Sequence, residues 1–228
     1  GILLISVLIH ELGHYLAALR LGGDCSELVL GPLGGMGSMR PPLEPLSETG
    51  MHVAGPIVNL IVCLVTGTVC LVADQDIVKL LNPIAPEALL AGEGWLVACK
   101  LTFWINWVLL LVNLLPAFPF DGGRALRSGL LSISPESGVR KASLFVTTLA
   151  KVTAFGIIVA AGILLFRDSS SDQPVPTWFA LMLLAIFLYF SAKQESEHHD
   201  RLDDHEDEFG YDFSQGYASL ERTPERVA

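Results

Sequence analysis

Residues 2–19 read ILLISVLIHELGHYLAAL and set an H-E-x-x-H motif, residues 10–14, inside an apolar run with the length of a membrane helix. On a helix, His10 and His14 are four residues apart and share one face, so both imidazoles can bind one metal ion. Glu11 lies beside them, and its carboxylate could take a proton from a zinc-polarised water. The alternative is that the histidines are hydrogen-bonded core residues. Because ionisable groups are costly in hydrocarbon, we favour a functional site.

The remaining sequence is also apolar. Of the 228 residues, 51% are hydrophobic and only 17% are charged, against roughly 25% charged residues in soluble domains. Five blocks could each span a bilayer, namely 2–21, 51–73, 95–115, 144–166 and 176–192. We therefore predict an all-α polytopic membrane protein that contacts the lipid bilayer. A soluble zinc protein with merely buried helices would not explain five such blocks.

The connection between the first two blocks is rich in glycine. Residues 28–39 read LVLGPLGGMGSM, which is too short and too glycine-rich to span the membrane. Short apolar runs around glycines predict a small membrane-associated β-hairpin or a re-entrant segment. Irregular backbone at membrane depth must be covered by protein or face a water-filled cavity.

The charges of the connections predict the orientation. Among the connections, the first and third hold most of the Lys and Arg residues, namely Arg20, Arg40, Arg124, Arg127, Arg140 and Lys141. The second connection, 74–94, is acidic and has only Lys79. The positive-inside rule therefore puts the first and third connections and the C-terminal tail in the cytoplasm. Residues 193–228 form an acidic tail that we expect to be disordered, and its charge argues against nucleic-acid binding.

A catalytic zinc site needs a third protein ligand, and residues 113–124, NLLPAFPFDGGR, contain a candidate. Asp121 follows two prolines that stop or kink the third membrane helix, and two glycines after it allow close backbone approach. Asp121 and the histidines lie near the same predicted side of the membrane, so they could meet. The alternative is that Asp121 only caps the next helix, 122–132.

Two polar residues of the second block are also candidates. Asn59 could form a hydrogen bond in the active-site cavity, as part of a substrate-binding site, or it could join packed helices. His52 could approach the site from the start of the second helix, although histidines near the interface need no ligand role.

Three segments together resemble the site-2 protease family of intramembrane zinc metalloproteases: HELGH at 10–14, AGPIVN at 54–59 and NLLPAFPFDGG at 113–123. The resemblance covers residues 1–132, which it implies are a three-helix catalytic core. It implies that His10, His14 and Asp121 bind one Zn²⁺ per chain and that Glu11 is the catalytic acid and base. It also implies that Asn113 binds substrate and that the glycine-rich segment holds an extended substrate. Residues 133–192 would add two further transmembrane helices, which carry no motif of that family.

These expectations describe an intramembrane zinc endopeptidase that cleaves transmembrane segments of membrane proteins in regulated proteolysis. Its substrate must unwind locally, because helical carbonyls are hydrogen-bonded and shielded. We expect a multi-pass protein of the cell (inner) membrane with its active site toward the cytoplasm. The alternative function is a zinc-binding membrane protein without protease activity, either a metal transporter or an inactive scaffold.

Overall fold

The computed structural model describes residues 1–25, 30–31, 34–35, 39–40, 42–73, 76–84, 86, 89–135, 138–167 and 176–209. Most of these residues belong to α-helices, namely α1 (Ile2–Leu21), α2 (Pro45–Val72), α3 (Gly94–Asn113), α4 (Asp121–Ile133), α5 (Gly138–Arg167) and α6 (Thr177–Phe209). A short 3-10 helix, Ile77–Leu80, lies between α2 and α3.

Five of the described helices are long and apolar enough to cross a membrane, and they contain the predicted blocks almost entirely. Their candidate spans are Ile2–Leu21, Pro45–Val72, Gly94–Asn113, Gly138–Phe166 and Thr177–Glu195. Large apolar side chains such as Leu64 and Phe155 are exposed on the outer faces of these helices. Such faces suit a lipid environment. The chain is therefore a multi-pass integral membrane protein, as the sequence predicts.

The described residues between α1 and α2 include four two-residue strands: β1 (Asp24–Cys25), β2 (Leu30–Gly31), β3 (Gly34–Gly35) and β4 (Met39–Arg40). Strand β1 pairs antiparallel with β4, and β2 pairs antiparallel with β3. Residues 26–29, 32–33 and 36–38 of this connection lie outside the described residues. The membrane-associated hairpin or re-entrant segment therefore stays a prediction.

Helix α2 begins at Pro45, six residues before the predicted block. Proline suits this first helical position, where its missing N–H costs nothing. The added first turns are polar, but they pair with α4. Glu48 accepts a hydrogen bond of 2.8 Å from Arg127, and the hydroxyls of Thr49 and Ser128 are 2.9 Å apart. Contacts between these helices thus extend α2 through residues that look like a loop in the sequence.

Helix α6 continues past the predicted membrane block to Phe209. Residues 193–209, which we expected to be disordered, are therefore helical. This part of the tail contains four glutamates together with Lys193, Gln194 and Arg201, and all of these residue types favour helix. Here they extend a helix that the membrane span has already nucleated, so the cost of starting a helix does not apply. Residues 210–228 lie outside the described residues.

Helices α1 and α2 cross where two glycines meet. A Cβ atom at Gly13 would lie 2.9 Å from a methyl group of Val58 and 3.3 Å from Cα of Gly55. Only glycine at residue 13 leaves room for this approach of the two backbones. Because Gly13 stands beside His14 in the motif, the crossing brings both histidines of α1 against α2.

Residues 114–120, which include Pro116 and Pro119, form a non-helical turn between α3 and α4. The following glycines fit against this turn: a Cβ atom at Gly122 would lie 2.6 Å from the carbonyl oxygen of Leu115. Ala117 at the centre of the turn is fully buried. It belongs to a core cluster with residues of α5 and α6, namely Ala150, Ala154, Leu188 and Ala192. The turn and the helices around it fix the position at which α4 begins.

Candidate metal centre

Three side chains from two distant segments converge at one buried point. Nε2 of His10 and Nε2 of His14 lie 3.1 Å apart, and Oδ2 of Asp121 lies 3.1 Å from the first and 3.0 Å from the second. All three residues are buried. Asp121 is more than 100 positions away from either histidine in the sequence. The structure thus brings together the three predicted ligands as a group that could hold a metal ion.

The hydrogen-bonding pattern of this group favours a proton or a metal ion at its centre. Nδ1 of His14 lies 2.8 Å from the carbonyl oxygen of Met51, which can only accept, so Nδ1 carries the proton. In neutral His14, Nε2 then has a lone pair that faces the carboxylate oxygen of Asp121 at 3.0 Å. Two acceptors at this distance repel each other unless a proton or a metal ion lies between them.

The spacing suits zinc. Zinc bonds of about 2.0–2.1 Å to His and carboxylate ligands separate neighbouring ligand atoms by about 3.3 Å in a tetrahedron. The observed separations of 3.0–3.1 Å are close to this value. Three protein ligands would leave the fourth position free for water or substrate, as catalytic zinc sites require.

Asp121 is the first residue of α4, where the positive end of the helix dipole favours a carboxylate. The helix therefore begins at this residue, but its side chain faces the histidines and is not merely a helix cap. Burial opposes ionisation of this carboxyl, yet the hydrogen bonds to His10 and His14 outweigh it and hold the pKa of Asp121 below its ordinary value. Asp121 is thus an anion at neutral pH, as a metal ligand must be.

The other predicted site residues lie at different distances from this group. Asn59 is fully buried, and its Nδ2 lies 3.0 Å from Nδ1 of His10. Glu11 is partly exposed beside His10 on α1. Asn113 is the last residue of α3 and is partly exposed. The hydrogen bonds described for the chain connect neither Glu11 nor Asn113 to the three ligands, and their predicted roles stay predictions.

Sequence reasoning missed Gly55 as part of the site. A Cβ atom at this residue would overlap Nε2 of His14 and would lie 2.7 Å from Cε1 of His10. The two imidazoles therefore occupy the space that a side chain at residue 55 would need. The A-G-P-x-x-N segment contained the signal, because it places Gly55 four residues before Asn59 on the same face of the helix.

His52 lies nearer to the site than the sequence alone could establish. Its ring centroid is 6.5 Å from that of His14, and its Nε2 is 3.7 Å from Oε1 of Glu48. The same carboxylate oxygen accepts the hydrogen bond from Arg127. The ion pair between Glu48 and Arg127 thus connects α2 with α4 beside His52.

Comparison with known proteins agrees with this geometry. The model of peptidase family M50 matches residues 1–157. The chain is 32% identical over 195 residues to the zinc metalloprotease MJ0392 of Methanocaldococcus jannaschii, a match that covers 86% of this chain and 48% of that protein. The chain thus spans about half the length of this curated relative.

A solved structure is also similar. The site-2 protease from Methanocaldococcus jannaschii matches with a TM-score of 0.55 and 31% sequence identity, over 86% of this chain and 76% of the solved chain. A match over 86% of this chain extends beyond residues 1–132, which contain the three motifs.

Proposed function

The chain belongs to peptidase family M50, the site-2 protease family, and on that premise we propose that it is an intramembrane zinc endopeptidase. Its reaction would be the hydrolysis of a peptide bond within a transmembrane segment of another membrane protein, as a step of regulated proteolysis. The observation that carries this proposal is the convergence of three ligand atoms within 3.1 Å of one another between membrane helices.

His10, His14 and Asp121 would hold one zinc ion per chain through two Nε2 atoms and a carboxylate oxygen. A bound zinc ion supplies Lewis-acid chemistry, since it lowers the pKa of a water and polarises a carbonyl group. The buried position of the three ligands supports this role, because burial excludes competing water from the site.

Glu11 would move the proton. On α1 it lies about 100° from His10 and about 60° from His14 around the helix axis, so its carboxylate can reach a water between them. Glu11 would accept the proton of the attacking water and then donate it to the leaving amine as the peptide C–N bond breaks. The products are a carboxylate and an amine.

The substrate would be a membrane-spanning protein whose helix unwinds near the cleavage site. An unwound segment exposes unpaired backbone groups, which need partners at membrane depth. Strand edges within residues 24–40 could supply them, and β1 and β3 both lie against α1. We propose that Asn113, at the end of α3, also donates a hydrogen bond to the substrate.

The orientation of the protein follows the charge pattern of its connections. We propose that the connection between α1 and α2, helix α4 and the tail face the cytoplasm of a cell (inner) membrane. The active site would then open toward the cytoplasmic side, and the released product would be cytoplasmic.

Glu11→Gln tests the function directly. Glutamine keeps the size of the side chain but cannot take the proton, so zinc binding should survive while cleavage falls by about 10²–10⁴-fold. Membrane proteomes of cells with the native and variant proteins should differ by a single-pass protein that accumulates intact only with the variant. Glu93→Gln, a change of an exposed glutamate beside α3, is the matched control and should cleave as the native protein does.

A Glu11→Gln protein that released the same fragment at the native rate would remove the protease proposal. Zinc binding without proteolysis, or zinc transport, would then be the better account. The match to a peptidase family does not favour transport, and a transport path would need polar groups along several helices. In the described parts of α5 and α6, the buried polar residues are Ser143 and Thr147.

A further inference from the structure

Helix α2 contacts both imidazoles through the nitrogen atoms that face away from the metal centre. The carbonyl oxygen of Met51 lies 2.8 Å from Nδ1 of His14, and the amide of Asn59 lies 3.0 Å from Nδ1 of His10. Met51, Gly55 and Asn59 are spaced four residues apart, so they form one face of the helix. Each histidine therefore has one partner on α2, and the glycine between the partners gives both rings their space.

The two partners differ in chemistry. A backbone carbonyl can only accept, so Met51 fixes His14 with its proton on Nδ1 and its lone pair on Nε2. Asn59 presents Nδ2, a donor, to His10, and its Oδ1 is buried without a hydrogen-bond partner. In that arrangement the Nδ1 of His10 accepts, and the proton sits on Nε2, where it can be donated to Asp121. A His10 in this form cannot bind a metal through Nε2.

A half turn of the Asn59 amide exchanges Oδ1 and Nδ2. The oxygen then accepts from a proton on Nδ1 of His10, which leaves the lone pair of Nε2 directed at the metal centre. An asparagine side chain can serve both forms of the histidine, because it carries a donor and an acceptor of nearly equal shape.

We propose that Asn59 is a positioning residue that selects the metal-binding tautomer of His10 by rotation of its amide. Asn59 acts through His10, and a hydrogen-bond partner of this kind orients the imidazole and sets its tautomer, which raises metal affinity. This inference rests on the proposed function, since it takes His10 to be a zinc ligand through Nε2.

Zinc affinity of the purified full chain, measured by competition with a chelator, tests the proposal without an activity assay. Asn59→Leu keeps the volume but removes the acceptor, and zinc should bind about 10–100-fold more weakly. Asn59→Asp keeps an acceptor for Nδ1, so its zinc affinity should equal or exceed the native value. Asn106→Leu is the matched control, because Asn106 is also fully buried and bonds to Ser6 of the same helix α1, away from the ligands.

Asn106→Leu should lower thermal stability but leave zinc affinity unchanged. If Asn59→Leu loses stability in the same way and keeps native zinc affinity, Asn59 only joins helices and the proposal is wrong. Weak zinc binding by both Asn59 variants would also overturn it, because the acceptor would then not matter.

A measurement on the native protein removes any dependence on folded variants. Nitrogen NMR of labelled histidine should show His10 with its proton on Nδ1 in the zinc-loaded protein. A zinc-loaded protein with Nδ1 of His10 as the ligand atom would refute the proposal and leave the protease function standing. A native chain that binds no zinc would overturn both.

Discussion

Gly55→Ala tests whether the metal centre depends on the space at which α1 and α2 meet. The change adds one methyl group to α2 and removes no hydrogen-bonding group and no proposed ligand. In the native structure, this methyl group would overlap Nε2 of His14 and lie 2.7 Å from Cε1 of both His10 and His14. The three atoms nearest to the added methyl group thus all belong to the two imidazoles.

The structure sets the size of the effect. A contact of 2.7 Å must lengthen to at least 3.4 Å to become an ordinary van der Waals contact, a displacement of about 0.7 Å. Metal–ligand bonds tolerate deviations of only about 0.2 Å. Overpacking of this kind costs about 1–3 kcal/mol. If zinc binding must overcome this strain, the zinc dissociation constant rises by about 5–150-fold.

The assay is chelator competition on the purified protein, with the thermal midpoint of the metal-free form measured in parallel. Gly156→Ala is the matched control: it makes the same change in α5, where a Cβ atom meets nothing within 4 Å. Its zinc affinity should be native. Native zinc affinity in Gly55→Ala would refute the reasoning, because it would show that the imidazoles can accommodate the added methyl group without losing their positions.

Two further predictions concern the ligands and the orientation. His14→Ala or Asp121→Ala should abolish most of the expected one zinc per chain, as measured by elemental analysis. Joint replacement of three histidines of the acidic tail, His198, His199 and His205, should leave the zinc content unchanged. Full zinc retention in Asp121→Ala would point to another carboxylate as the ligand. In a background without native cysteines, a cysteine at Asp76 should react with an impermeant reagent from outside and one at Arg140 should not, because most loop cations lie on the side of Arg140; the opposite labelling would reverse the proposed orientation.

The membrane spans could be predicted because they depend on the apolar composition of about 20 consecutive residues, and this composition is known from the sequence without any knowledge of packing. The start of α2 could not be predicted in this way. Glu48 and Thr49 look like loop residues, and their partners Arg127 and Ser128 lie 79 positions away. Hydrogen bonds across that distance are visible only once the helices are packed.

The metal centre shows the same division. The spacing of His10 and His14 places both on one face of a helix. The prolines and glycines around Asp121 indicate the end of a helix, where a turn could bring this carboxylate near the two histidines. The residues that surround the two histidines could not be predicted from the sequence. The contact of Asn59 with His10, and the fit of Gly55 against both rings, depend on the angle and depth at which α1 crosses α2, which residue spacing does not determine.

Helices α5 and α6 have no motif of the family, yet the metal centre depends on them. Asp121 follows a turn, 114–120, that is neither helix nor strand, and such backbone is stable at membrane depth only when protein covers it. The cover comes from α5 and α6, whose alanines let the turn approach closely; Ala117 is completely buried there, and the rings of Phe120 and Phe187 are 5.9 Å apart. The predicted boundary at residue 132 thus separates the part of the chain that carries the family motifs from the part that does not. Packing runs across this boundary, because the helices beyond it cover the turn that precedes Asp121, the third proposed ligand.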